Sequence, residues 1–285
     1  MQVLGKTNEA GSTTVQFDDD PFPVWEAGLA EMLWPDPEEV FLSYGLYGLD
    51  RVLNGLHRGD LILFAGKMGC GKSDFAETLA HTLAWRQKAT GIFCALGTKV
   101  RYTLAGITAI HARMDYNAVL RNCNEVEANQ AKARSAIQEL SEMRLVVDDK
   151  SGLSLGEIEK RIREAKTRYG IAFALVNKWQ MFADPYEFGG NGLRQMKRLA
   201  MDLDIPIVLF ARMSKAGPKR LTVEDVGDCG FYDDPDVVVL MHLDDKEKVG
   251  ELAFQVVKNS NGGSGVIRTA YINYQHRVEN LALSQ

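Results

Sequence analysis

The octapeptide Gly66-Lys67-Met68-Gly69-Cys70-Gly71-Lys72-Ser73 constrains this chain more than any other stretch of it. It satisfies G-x-x-x-x-G-K-[ST], a pattern whose glycines let backbone N–H groups wrap a phosphate. Lys72 then reaches the β- and γ-phosphates, and the Ser73 hydroxyl ligates Mg²⁺. An apolar run, Asp60 to Ala65, precedes the motif, and an apolar-periodic stretch over about 72–87 follows it. The loop is therefore read as joining a buried strand to a helix, whose positive dipole end adds to anion binding. A chance match in a chain this long has odds on the order of one in a hundred, and the strand–helix setting lowers them further. Residues Gly66 to Asp74 are accordingly expected to hold ATP and Mg²⁺.

The rest of the pattern gives such a loop its scaffold. Further apolar runs at 91–96, 144–148, 172–177, 206–211, 237–241, 251–257 and 265–273 read as strands. Helical periodicity is expected over 100–142, 155–168 and 192–203. Strands alternating with helices predict an α/β fold with a mostly parallel, twisted sheet and helices on both faces. The last two strands, joined at Asn261-Gly262-Gly263, predict a C-terminal β-hairpin. Residues 1–20 read as a disordered tail ending in the acidic Asp18-Asp19-Asp20. Trp25, Leu29, Met32 and Leu33 then fall on one face of a short helix, which would pack on its own domain or on a neighbouring subunit. The expected division is a tail and linker helix at 1–43 and a nucleotide-binding domain at 44–285.

Composition sets bounds. With 46% hydrophobic and 25% charged residues among 285, the chain can build a core without disulfides or metals. Its four cysteines form no C-x-x-C pair and its five histidines no ligand spacing, so sequence predicts no zinc site and a reducing compartment. No apolar run is long enough to span a bilayer, and a cytoplasmic protein without membrane partners is expected. The net charge of −5 neither suggests nor excludes nucleic acid, because a ring needs basic charge only along its channel.

Beyond the loop, the chain from about Tyr44 to Asn280 resembles the C-terminal motor domain of DnaB-type replicative helicases. Gly48-Leu-Asp-Arg-Val-Leu-Asn-Gly-Leu56 with Gly59-Asp-Leu-Ile62 is similar to that family's entry into the phosphate loop. Leu145-Val-Val-Asp-Asp149 and Ser154-Leu-Gly-Glu-Ile158 resemble the segment leading to its Walker B strand, and Ala174-Leu-Val-Asn-Lys-Trp-Gln180 sits where that strand belongs. Leu199 to Phe210 resembles the next helix and strand, and Lys258-Asn-Ser-Asn-Gly-Gly-Ser-Gly265 the closing hairpin. The resemblance implies a RecA-like P-loop fold and a role in DNA replication. It also implies assembly as a hexameric ring on single-stranded DNA, with ATP between subunits and replication proteins as partners.

It also marks departures. Gly97 occupies the place of the catalytic glutamate, and Asn177 that of the Walker B aspartate, where it would hold Mg²⁺ only weakly through water. Arg212 replaces the sensor glutamine, and Ser260 the arginine finger, although Lys258 matches the family's lysine. Gly227-Asp-Cys-Gly230 lacks the arginine of the DNA-binding loop. The expected function is thus an ATP-binding, DnaB-like replication protein whose own hydrolysis is weak or absent. Two alternatives stand beside it: an active ATP-dependent DNA helicase, and a non-catalytic adaptor, loader or ring subunit serving another motor. A recombinase-type or clock-type ATPase shares the loop and sheet and is a third. Replacement groups are sought in Arg212, which would serve as a finger in cis, and in Asp148, Asp149 or Asp184 as the acid. Lys215, Lys219 and Arg220 are the candidate DNA contacts, and Asp184 to Gly190 offers aromatic rings for stacking.

Overall fold

A computed structural model describes residues 5–7, 13–15, 42–122, 127–179, 190–213, 222, 233–243 and 250–281. The amphipathic segment at 25–33, the loop at 184–189, the basic residues Lys215, Lys219 and Arg220, and the segment 227–230 lie outside them. The chain divides into two units, Met1–Phe41 and Leu42–Gln285, two residues before the expected boundary. In the first unit β1 (Gly5–Thr7) pairs antiparallel with β2 (Thr13–Val15), which corrects the expectation of a tail without structure. Thr7, Thr13, Thr14 and Val15 are β-branched and suit extended backbone.

The second unit is built on one nine-stranded sheet. Its strands are β3 (Leu61–Gly66), β4 (Gly91–Ala95), β5 (Leu145–Asp148), β6 (Phe173–Asn177), β7 (Ile207–Arg212), β8 (Val237–Leu243), β9 (Glu251–Asn259), β10 (Gly265–Ile272) and β11 (Arg277–Asn280). They lie in the order β11-β10-β9-β8-β3-β7-β6-β4-β5. The six from β8 to β5 run parallel, whereas β9, β10 and β11 continue the sheet antiparallel. The RecA-like α/β fold is as expected, and the expected hairpin is β9–β10. Strand β11 and helix α1 (Tyr47–Leu53) had no periodic signal of their own.

The other helices are α2 (Lys72–His81), α3 (Val100–Ala112), α4 (Glu127–Leu140), α5 (Leu155–Tyr169) and α6 (Gly190–Leu203). A π-helical turn, Thr82–Arg86, continues α2. The helical pattern over 100–142 is broken: α3 stops at Arg113, in the left-handed conformation at φ 51°, and a π-turn at Ala118–Asn122 precedes α4. Periodicity cannot register such a break, because both helices keep the 3.6-residue repeat. Helix α5 begins on a reciprocal cap in which Ser154 Oγ accepts from the Glu157 N–H, and it ends on left-handed Gly170.

All six residues of β3 are buried, as a central parallel strand covered on both faces requires. Its pleat divides them between two cores. Ile62 and Phe64 join the aromatic core under α2, with Phe75, Phe210 and Phe254. Leu61, Leu63 and Ala65 face the core under α5 and α6, with Trp179, Leu193, Met196 and Leu199.

At the β4–β6 pairing Gly91 stands opposite Phe173. A Cβ on Gly91 would lie 2.1 Å from the Phe173 ring, which is fully buried and cannot retreat. Gly91→Ala is therefore expected to destabilise the domain by about 1–3 kcal/mol through overpacking. Urea unfolding checks this through a lower midpoint at unchanged slope.

Candidate functional site

Strand β3 ends at Gly66 and α2 starts at Lys72, so the loop between them sits at the carboxyl edge of the parallel strands. Gly69 and Gly71 take φ values of 76° and 79°, which disfavour side chains. Gly66 is needed for space: a Cβ there would lie 2.5 Å from Cys70 Sγ and 2.8 Å from Met241 O. Gly71 is the N-cap of α2 and offers no side-chain cap, leaving the first N–H groups of the helix available to an anion. Lys72 curls over the loop, its Nζ donating to Gly66 O (2.9 Å) and Lys67 O (2.5 Å) and standing 3.5 Å from Cys70 Sγ. Burial pulls its pKa below the ordinary lysine value, and burial raises that of the Cys70 thiol.

A cavity of about 480 Å³ opens above this loop, bounded by Met68, Lys72, Ser73, Asn177, Lys178 and Arg212. Strand register places the distant members. Gly66 pairs with Arg212 on β7, which sets the arginine beside the first glycine of the loop, with Nη1 3.9 Å from Met68 Sδ. Asn177 is the last residue of β6 and is buried, and its Oδ1 faces Ser73 Oγ at 3.4 Å. The position expected for a Walker B acid is thus next to the hydroxyl expected to ligate Mg²⁺, and it carries an uncharged amide. Gly97 follows β4 in an exposed turn at φ 68° and presents no side chain.

Other sequence candidates fall elsewhere. Asp148 is committed to Arg161 at 2.6 Å, and Asp149 accepts from the Val100 N–H at the start of α3. Both sit at the edge strand β5 or just beyond it. Four strand spacings of about 4.8 Å separate that strand from β3, too far for either acid to reach the loop. Lys258 pairs with Val238, whereas the loop-bearing Gly66 pairs with Met241. The lysine therefore lies toward the opposite edge of the sheet from its own phosphate loop, and its Nζ donates to Asp233 O at 2.8 Å. The Ser260 N–H donates to Asp236 O at 3.0 Å.

The structure adds residues that sequence reasoning missed. Lys178 lines the cavity from a left-handed turn at φ 68°, held by fully buried Trp179 beside it. Tyr271 on β10 packs over Gly71 and donates its hydroxyl to Asp74. Next to it, His276 Nδ1 lies 3.0 Å from Glu77 Oε2 and 3.5 Å from Asp74 Oδ1. Burial pushes Glu77 up to about 7 despite the opposing pull of His276. The one signal available for this group in the sequence was Glu77, an acid within the covered stretch Phe75–His81 of α2. Asp74 was expected to touch nucleotide; it lines the cavity, but its carboxylate is engaged by Tyr271.

The model of the DnaB-like helicase C-terminal domain family matches residues 42–280. The chain belongs to that family. Among curated relatives, this DnaB-like domain is 24% identical over 254 residues to the replicative DNA helicase DnaC of Bacillus subtilis, covering 83% of this chain and 56% of that protein. It is 22% identical over 263 residues to the replicative DNA helicase DnaB of Geobacillus stearothermophilus, covering 86% and 58%. The chain thus spans little more than half the length of these relatives. Among solved structures, one described as an ATPase domain superposes with a TM-score of 0.83 at 18% identity, over 93% of this chain and 100% of that one. A DnaB-like replicative helicase, described with its interactions with primase, gives 0.81 at 19% identity, over 96% and 70%. Both likenesses are of fold. No helix among the described residues is long and apolar enough to cross a membrane.

Proposed function

We propose that this DnaB-like domain binds Mg²⁺-ATP over residues 66–73 and acts in DNA replication as part of a ring on single-stranded DNA, hydrolysing ATP slowly or not at all. The observation that carries the reading is the contrast within one cavity. The loop, Lys72 and Ser73 line this cavity beside the uncapped start of α2, which supports phosphate binding there. Asn177 on the cavity wall, 3.4 Å from Ser73, brings an amide in place of the expected carboxylate, and Gly97, outside that lining in an exposed turn, has no side chain to bring. A hydroxyl and an amide oxygen can hold a hydrated Mg²⁺, but the ion is bound better by carboxylates. Phosphate binding rests mainly on backbone N–H groups and Lys72, so it outlasts the loss of the acids.

The ring is supported by the place of Lys258, which reaches no phosphate loop of its own chain and would supply the basic finger to a neighbour. Single-stranded DNA would run along Lys215, Lys219 and Arg220. Ring partners are further copies of this chain or a related motor, and in the second case the chain is an adaptor, loader or inactive ring subunit. One observation favours the active-helicase reading: Arg212, set by register beside Gly66, adds a cation at the phosphate cavity.

Calorimetric titration with Mg²⁺-ATP tests the nucleotide site. Wild-type protein is expected to bind one equivalent, and Lys72→Ala to weaken binding on the order of tenfold or more, as losing one charge-assisted contact of about 1.5–3 kcal/mol requires. Equal binding by the two proteins would overturn the assignment.

A further inference from the structure

We propose that Asp74, Glu77 and His276 form a site for one divalent transition-metal ion of the zinc class, separate from the Mg²⁺ position at Ser73. The three residues each offer one ligand atom, and these atoms lie within 4.8 Å of one another. Zinc bound to nitrogen and oxygen at about 2.0–2.1 Å in a tetrahedral shell keeps its ligands roughly 3.3–3.4 Å apart. The distances from His276 Nδ1 to Glu77 Oε2 (3.0 Å) and to Asp74 Oδ1 (3.5 Å) bracket that edge. Small side-chain adjustments close the shell around an ion, and its fourth position is left for water.

The surroundings hold the ligands in place. Asp74 and Glu77 lie one turn apart on α2, while His276 comes from the connection between β10 and β11, 199 residues from Glu77. Tyr271 Oη engages Asp74 Oδ2, which leaves Oδ1 for the ion and fixes the carboxylate plane. The His276 ring stacks on Tyr116 at 3.9 Å and 15°. Room for the Glu77 carboxylate exists because residue 106 is glycine: a Cβ there would lie 1.9 Å from Oε2. Two carboxyl groups and one imidazole supply oxygen and nitrogen ligands, which a divalent ion takes by displacing their protons. Nitrogen ligation selects a transition metal over Mg²⁺, which prefers oxygen and keeps its waters. Ligands this far apart in sequence escape any spacing rule, so the scattered cysteines and histidines gave no hint of it.

Cobalt(II) titration of the full chain without nucleotide, followed by visible absorption, tests the site. The expected result is one saturable equivalent, displaced by Zn²⁺ and retained in Lys72→Ala. His276→Asn keeps a residue tolerant of the left-handed φ of 53° at that position. It and Glu77→Gln should each weaken Co²⁺ binding on the order of tenfold or more, since even outer-shell changes cost about 10–100-fold. No saturable band in wild-type protein, or unchanged binding in a variant that melts cooperatively, overturns the proposal.

Discussion

Mg²⁺-ATP turnover by the purified protein, with single-stranded DNA present, is expected to equal that of its Lys72→Ala variant. A positioned general base contributes about 10²–10⁴ in rate, and an arginine finger about 10³–10⁵. Gly97 has no side chain with which to polarise water, and the resemblance puts Ser260 where the family has its arginine finger, with only the neighbouring Lys258 left to act as a basic finger. The two losses do not multiply, because such groups act as a unit. Either one alone takes a turnover of about 1–100 s⁻¹, the range of working phosphoryl-transfer enzymes, down to about 1 s⁻¹ or less. Asn177→Asp should tighten the Mg²⁺ requirement for ATP binding, since it places a carboxylate where an amide oxygen now lies 3.4 Å from Ser73 Oγ. It should not restore turnover while Gly97 remains. A coupled assay of all three proteins decides the matter. DNA-stimulated turnover on the order of 1 s⁻¹ or more, lost in Lys72→Ala, would sink the weak-hydrolysis reading and point to Arg212 or a displaced acid as the replacement.

Phe64→Ala should lower stability by about 3–5 kcal/mol, the usual cost of emptying an aromatic core position. Phe64 is fully buried on the central strand β3 and meets four rings. It stacks on Phe210 at 5.5 Å and 15°, and its edge contacts lie at 5.0 Å for Phe75 and 6.1 Å for both Tyr44 and Phe254. These partners come from α2, β7, β9 and the segment before α1, so a cavity there loosens several elements at once. For a domain of this size each kcal/mol moves the melting temperature about 2–4 °C, which gives a fall of roughly 6–20 °C by differential scanning calorimetry. A fall of under about 3 °C would mean that neighbouring rings collapse into the space.

The features legible along the chain were local or periodic. The phosphate loop could be read because its function depends on contiguous residues: glycines that admit φ values of 76° and 79°, a lysine and a hydroxyl. The strands were legible as apolar runs, since a parallel strand covered on both faces shows no alternation, and α5 and α6 showed the 3.6-residue repeat. The family resemblance carried further, marking Asn177, Arg212 and Gly97 as positions to watch, although no local chemistry singles them out. How those positions meet is a matter of tertiary structure. Strand order and register set Arg212 against Gly66, turned Asn177 to Ser73, and sent Lys258 toward the opposite edge of the sheet. They also tied Asp148 to Arg161 four strands from the loop, and drew His276 to Asp74 and Glu77 from the far end of the chain. Local sequence dictates which backbone groups can pair and which faces must be buried. Which side chains then converge depends on how the strands are ordered in the sheet, a property of long-range pairing that neighbouring residues do not encode.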